Sequence, residues 1–344
     1  MILPDFILVV AHSGHSYSYH QTLLKLGNLI LEALMHIVVF GAGGVGGYFG
    51  GRLAQAGERV TFIARGEHLR AMLRNGLKVE SIKGNFTIQP VSATDDAGKI
   101  KDVDAILMCV KTWQIPDAAK AILPILNPST FVIPLENGVE APAQLAEIIS
   151  REHIMGGLCR LASRLASPGV IQHTAIEPYI AFGELDNRRS ERSQTLLQAL
   201  RHAGISAEIP SDINVAVWQK FLFISAVSGI GAITRVPFGS FRSIDGTRQM
   251  LLEALKECYA VAVAQDVHLP AQSVAETLAY IDSLPPGTMA SMQRDVIDGC
   301  PSELEAQNGA LVHMGQQLNI PTPVHNFIYY SLLPQENLVR DANR

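Results

Sequence analysis

Residues 36–40 form a short apolar run rich in β-branched side chains, residues 44–56 read as helix, and residues 59–64 are apolar and β-branched again. This alternation predicts the opening of a parallel sheet. Further buried strands are expected at 105–110 and 130–135, each followed by a helical segment, at 115–125 and 140–149. Residues 77–91 alternate more loosely and suggest a hairpin; a β-rich stretch at 154–183, a polar helix at 190–203 and a short strand at 205–209 follow. At Pro210 the pattern changes. Ser211 and Asp212 are helix-start residues, and nearly everything to Leu333 reads as helix, punctuated by Pro237, Gly246, Pro270, residues 285–287, Pro301 and residues 321–323 into five or six helices. The expected architecture is an α/β chain: a parallel-sheet domain over 35–210, an all-helical domain over 211–337 and a tail at 338–344.

Residues 1–34 stand apart. An apolar start at 2–10 leads into a polar middle holding His12, His15 and His20, then a helical stretch at 22–34. No Lys or Arg precedes Lys25, so the basic start of a secretory signal is missing, and the pattern from Met35 needs nothing before it. The segment reads as a dispensable extension or an upstream start, its histidines incidental.

With 344 residues, 48% hydrophobic and 17% charged, the chain is long enough for two globular cores. A net charge of −5 without a basic stripe argues against nucleic acid and leaves a small molecule as the expected partner. Cys109, Cys159, Cys258 and Cys300 are far apart and form no CxxC pair, which argues against a zinc cluster or a disulfide framework and for a reducing, cytoplasmic setting. No uninterrupted apolar run reaches the roughly 18–20 residues of a membrane span. The apolar stretch 221–233 suits a domain core rather than an interface, so it does not decide for or against a homodimer.

The loop Gly41, Ala42, Gly43, Gly44, Val45, Gly46 places glycines at GxGxxG spacing between an expected strand and an expected helix. In that context Gly41 permits a tight turn, Gly43 lets the backbone approach a pyrophosphate, and Gly46 lets helix and strand pack closely. A nicotinamide dinucleotide is the implied cofactor. The next strand ends in Arg65, where a preference for NAD would place an acid, and a guanidinium suits the 2′-phosphate of NADP. Lys111 and Asn137 close two further strands, at the edge where open α/β sheets bind ligands, although Asn137 before Gly138 also suits a plain turn.

Carbonyl reduction by such a cofactor needs a proton donor. Lys220 lies within the apolar stretch 217–227, where its head must reach either a cleft or solvent. Glu303 is a second candidate, but acids favour first helical turns, and Ser302 with Glu305 matches a capping box.

From Met35 to about Glu336 the chain resembles the ketopantoate reductase (2-dehydropantoate 2-reductase) family. The resemblance rests on HIVVFGAGGVGGYFGGRLAQAG, the strand ending in Arg65, CVKTWQ, LENGVE, VWQKFLF, SMQRDV and SELEAQNGALV, in that order. It implies a Rossmann-type first domain, a helical second domain and an active site between them. It implies NADPH as hydride source, with Gly41, Gly43 and Gly46 at the pyrophosphate, Arg65 at the 2′-phosphate, Lys111 at the cofactor, and Asn137 at cofactor and substrate. It further implies that Lys220 is the catalytic lysine, Glu303 the active-site glutamate and Ser291 a substrate-carboxylate contact, in the reduction of 2-dehydropantoate to pantoate for pantothenate and coenzyme A synthesis.

One departure concerns substrate. The family's better-characterised members carry asparagines four and eight residues after the lysine; here those positions are Ile224 and Ser228. Helical spacing sets both near the face of Lys220, with Ser228 still able to give a hydrogen bond. A paralogue reducing another branched 2-oxo acid therefore stays open, as does a non-catalytic NADP-sensing module, which Lys220 and Glu303 argue against.

Overall fold

The computed structural model describes residues 34–342; the expected extension otherwise lies outside the described residues. Strand β1 (His36–Phe40) leads through the glycine loop into α1 (Gly44–Gln55), and β2 (Arg59–Ile63) into α2 (Gly66–Asn75). The hairpin β3 (Leu77–Ser81) and β4 (Phe86–Ile88) follows, then β5 (Ala93–Thr94), β6 (Ala105–Met108), α3 (Ile115–Ile122), β7 (Phe131–Pro134) and α4 (Ala141–Ala146). The long hairpin β8 (Met155–Ser167) and β9 (Val170–Glu184), α5 (Glu191–His202) and β10 (Ser206–Glu208) complete this half.

Two sheets result. The first is parallel throughout, in the order β5-β2-β1-β6-β7. Its strands are buried on both faces, which is why they read as unbroken apolar runs. The second is mixed: β9 pairs in parallel with β3 and β10 and antiparallel with β8, and β4 closes the edge. The domain thus holds more than the expected parallel sheet. Helix α1 is packed from both sides. A methyl at Gly50 would lie 2.6 Å from Phe62 of the first sheet, and one at Gly47 would lie 2.7 Å from Ile171 of the second. Each glycine weakens a helix by roughly 1 kcal/mol relative to alanine; the two close approaches are what that loss permits.

Asp212 caps the next helix by accepting from Val215 N at 3.0 Å, as the helix-start residues suggest. Helix α6 (Ile213–Thr234) is followed by α7 (Phe238–Arg242), α8 (Asp245–Ala264), α9 (Ser273–Ser283), α10 (Ser291–Ile297), a π-type turn (Glu305–Gly309), α11 (Ala310–Leu318) and α12 (Pro323–Ala342). By length and composition α6 could span a membrane, but most of it is the buried centre of this domain, packed on α8, α10 and α12. Much of the stretch 221–233 is therefore core. Helix α12 continues through most of the stretch expected to be a tail, because Arg340 in its last turns is tied to Glu336 and to Ser302.

Candidate active site

The carboxyl ends of β1, β2, β6 and β7 open into a cleft of about 1030 Å³ whose opposite wall is α6, α9 and α10. That volume lies at the upper end for single-ligand pockets and suits a dinucleotide with a second small molecule.

The glycine loop forms one end. Gly41 has φ +97°, and a methyl there would lie 2.6 Å from the Cys109 carbonyl oxygen, so the turn requires glycine for both conformation and space. Gly43 faces open space, whereas a methyl on Gly44 would lie 2.6 Å from the Ser163 carbonyl oxygen of β8. His68, also lining the cleft, ties the loop to the β8–β9 turn: its Nδ1 accepts from Gly169 N at 2.9 Å, which leaves Nε2 to donate to the Ala42 carbonyl at 2.8 Å. Burial holds its pKa below the usual histidine value, in keeping with a neutral ring. Ala42 and Val45 line the same cleft, and Arg65 stands exposed at its mouth as the residue that caps α2.

Lys111 lines the cleft and reaches across it, its Nζ 2.9 Å from Asp295 of α10. Asn137 crosses too, donating from Nδ2 to Glu303 Oε2 at 3.0 Å. Glu303 is buried, at 5% exposure. Its turn is clamped by α12: Ser302 N and Oγ donate to Glu336 at 3.0 and 2.6 Å, and Arg340 pairs with Glu336 at 2.7 Å while donating to the Ser302 carbonyl at 2.7 Å. The expected capping box is absent. Glu305 instead accepts from Tyr329 and pairs with His313, because the chain enters a π-type turn there, a distortion common at functional sites.

Lys220 is half-buried on the cleft wall, with Ile224 one turn along and Ser291 at the start of α10. Burial pushes the Cys159 thiol up, while Lys220 pulls it down and Glu136 and Glu303 push it further up, so these charges share one neighbourhood. Ser228 does not belong to it. Eight residues of helix advance about 12 Å and end about 80° off the starting face; Ser228 is fully buried in the helical core with its Oγ unpartnered, and it does not line the cleft.

Three buried side-chain oxygens without a partner do line the cleft: Glu136 Oε2 on the floor, Ser163 Oγ beside the glycine loop and Ser273 Oγ on α9. Unpaired buried polar atoms are costly, and in a cleft they mark contacts for a ligand. With the open space before Gly43, they make the cavity a fit for a polar dinucleotide and a second small molecule. None of the three, nor His68, carries a local sequence signal; Glu136 is hidden within the strand-end segment LEN. Among the described residues no cluster suited to a metal ion occurs, and the four cysteines are free.

The ketopantoate reductase PanE/ApbA family model matches residues 37–187, and its C-terminal counterpart matches residues 212–336. The chain belongs to the ketopantoate reductase family. It is 31% identical to the uncharacterized oxidoreductase YkpB of Bacillus subtilis, over 87% of this chain and 98% of that protein. It is 29% identical to a 2-dehydropantoate 2-reductase of Nostoc sp., over 86% and 93%. Among solved structures, a PanE/ApbA family ketopantoate reductase from Ralstonia eutropha superposes with a TM-score of 0.81 at 29% identity, covering 89% of this chain and all of that one. Ketopantoate reductases are oxidoreductases, and membership of the family is consistent with a nicotinamide cofactor and a small-molecule substrate for this chain.

Proposed function

We propose that the chain is a cytoplasmic, NADPH-dependent 2-oxo acid reductase, with 2-dehydropantoate as its first candidate substrate and pantoate, a precursor of pantothenate, as product. One observation carries this reading: the glycine loop and Arg65 on one domain and Lys220 on the other line a single cleft, which the Asn137–Glu303 bond crosses.

Gly41 to Gly46 would cradle the pyrophosphate, Ser163 Oγ would add a hydrogen bond there, and Arg65 would take the 2′-phosphate. When bound, the cofactor supplies a hydride to the keto carbon. The Lys220 ammonium then protonates the carbonyl oxygen and regains its proton from solvent. Glu303, held by Asn137 and the Ser302 clamp, balances the lysine charge and fixes its direction, while Ser291 faces the substrate carboxylate. The buried floor and the domains meeting across the cleft restrict water around the reacting atoms.

The test is NADPH oxidation by the purified protein against 2-dehydropantoate and a panel of other 2-oxo acids. Lys220→Ala should lower turnover by about 10²–10⁴-fold and leave NADPH binding intact; unchanged turnover would remove Lys220 as the acid. A second reading, another branched 2-oxo acid as substrate, is favoured by Ile224 on the cleft wall and by Ser228 turned away into the core. A purely NADP-sensing role would leave the lysine facing the cleft and the clamped glutamate without a use.

A further inference from the structure

Glu136 lies two residues beyond β7 on the cleft floor, next to Asn137 in the chain, and is 8% exposed. Its Oε1 accepts from Val110 N at 3.1 Å, and its Oε2 is buried without a partner. Cys109, at the end of β6, has its carbonyl against Gly41, so the floor between the glycine loop and the Asn137–Glu303 pair is formed by Cys109, Cys159 and Glu136. That floor, between the glycine loop and the Asn137–Glu303 pair, is where a nicotinamide ring would lie to deliver a hydride to a carbonyl held toward Lys220 and Asn137.

We propose that Glu136 is a proton-linked charge partner of the nicotinamide ring, neutral opposite the reduced ring and ionised opposite the oxidised one. The inference rests on the reading of the cleft as a nicotinamide dinucleotide site. The oxidised ring carries a positive charge that the reduced ring lacks, while the pyrophosphate, adenosine and 2′-phosphate are common to both forms. In a buried site an adjacent cation favours the carboxylate strongly. The carboxyl is suited to this exchange, since burial, with the Glu303 charge adding to it, pushes its pKa up to about 8. Of the other titratable groups facing this region, the Cys109 and Cys159 thiols are pushed up by burial and His68 is pushed down. Lys111 is paired with Asp295, and Lys220 and Glu303 stand on the opposite wall.

The linkage has a definite sign. Ionised Glu136 favours NADP⁺, so raising the pH strengthens NADP⁺ binding relative to NADPH, and binding of NADP⁺ near neutral pH releases a proton. The experiment is titration of the full chain with NADP⁺ and with NADPH between about pH 6 and pH 10, for wild type and for Glu136→Gln, which keeps the acceptor for Val110 N. The ratio of the NADPH to the NADP⁺ dissociation constant should rise about tenfold or more in the wild type and stay flat in the variant. Calorimetry of the wild type in buffers of different ionisation enthalpy should independently show proton release with NADP⁺ but not with NADPH. A flat wild-type ratio without proton release, or an equal slope in the variant, overturns the role of Glu136 alone. Failure of both nucleotides to bind overturns the dinucleotide reading and this inference with it.

Discussion

Replacing Glu136 by glutamine should make the ligand-free protein more stable, and increasingly so as the pH rises. In the fold the carboxyl is pushed from 4.5 up to about 8, chiefly by burial. A carboxyl with a raised folded pKa is fully accommodated below its unfolded value, and its contribution is lost as the pH climbs through the folded one. The relevant window therefore runs from about 4.5 to about 8. Each tenfold difference in proton affinity is worth ~1.36 kcal/mol, so ionising the buried group costs the fold at most about 5 kcal/mol by the top of that window. The neutral amide avoids that cost. It keeps an acceptor for the Val110 N–H, and its NH₂, like Oε2 now, has no partner in the ligand-free floor, a cost that does not depend on pH. Urea unfolding of both proteins at closely spaced pH values, without nucleotide, measures the difference directly. It should be small near pH 4.5, widen through the window and level off above it. A difference that stays constant with pH would refute the reasoning, because a mere packing or hydrogen-bond change has no proton dependence.

Other outcomes follow from the same geometry. Arg65→Ala should weaken NADPH by about 10–100-fold, the worth of a charge-assisted contact, and leave NADH nearly unchanged; equal loss of both in binding titrations would count against a 2′-phosphate role. Gly44→Ala meets the Ser163 backbone and should cost about 1–3 kcal/mol of stability, whereas Gly43→Ala has room and should fold normally while losing dinucleotide affinity. Thermal melts together with nucleotide titrations separate the two, and equal melting temperatures would contradict the packing argument. For substrate, if Ile224 takes the place of the hydroxyl partner, discrimination between 2-dehydropantoate and 3,3-dimethyl-2-oxobutanoate, which lacks the terminal hydroxyl, should be no more than ~10²-fold, and Ile224→Asn should shift the kcat/KM ratio toward 2-dehydropantoate. A wild-type preference for 2-dehydropantoate approaching ~10⁴-fold would show that a hydroxyl partner exists elsewhere in the cleft.

The strand–loop–helix unit at 36–56 was legible because strand period, glycine spacing and helix follow one another within twenty or so residues. The second sheet was legible only in pieces. The hairpins at 77–91 and 154–183 carry local turn signals, but the parallel pairing of β3 with β9 joins segments far apart in the chain and leaves no local trace. Ser228 was misplaced because a helical face drifts, so that the alignment holding at Ile224 is lost one turn later. The last turns of α12 read as a polar tail because Glu336 and Arg340 serve Ser302, more than thirty residues earlier. Glu136 and His68 gave no warning for a similar reason: what marks them is a partner, or an absent partner, on another element.

The packing around the glycine loop makes one wall of the cleft rigid to inheritance and the other editable. Cys109 closes on Gly41, the Ser163 backbone backs Gly44, and Gly46 leaves no room for a methyl against Gly41 and Val39, so substitutions there disturb the domain before they tune a ligand. Arg65 stands exposed just past β2, and among the described residues no hydrogen bond or ion pair of its side chain is at stake in a change. If Arg65 sets the preference between the two nicotinamide cofactors, a lineage or an engineer that alters that preference will find the route there, at the mouth of the cleft.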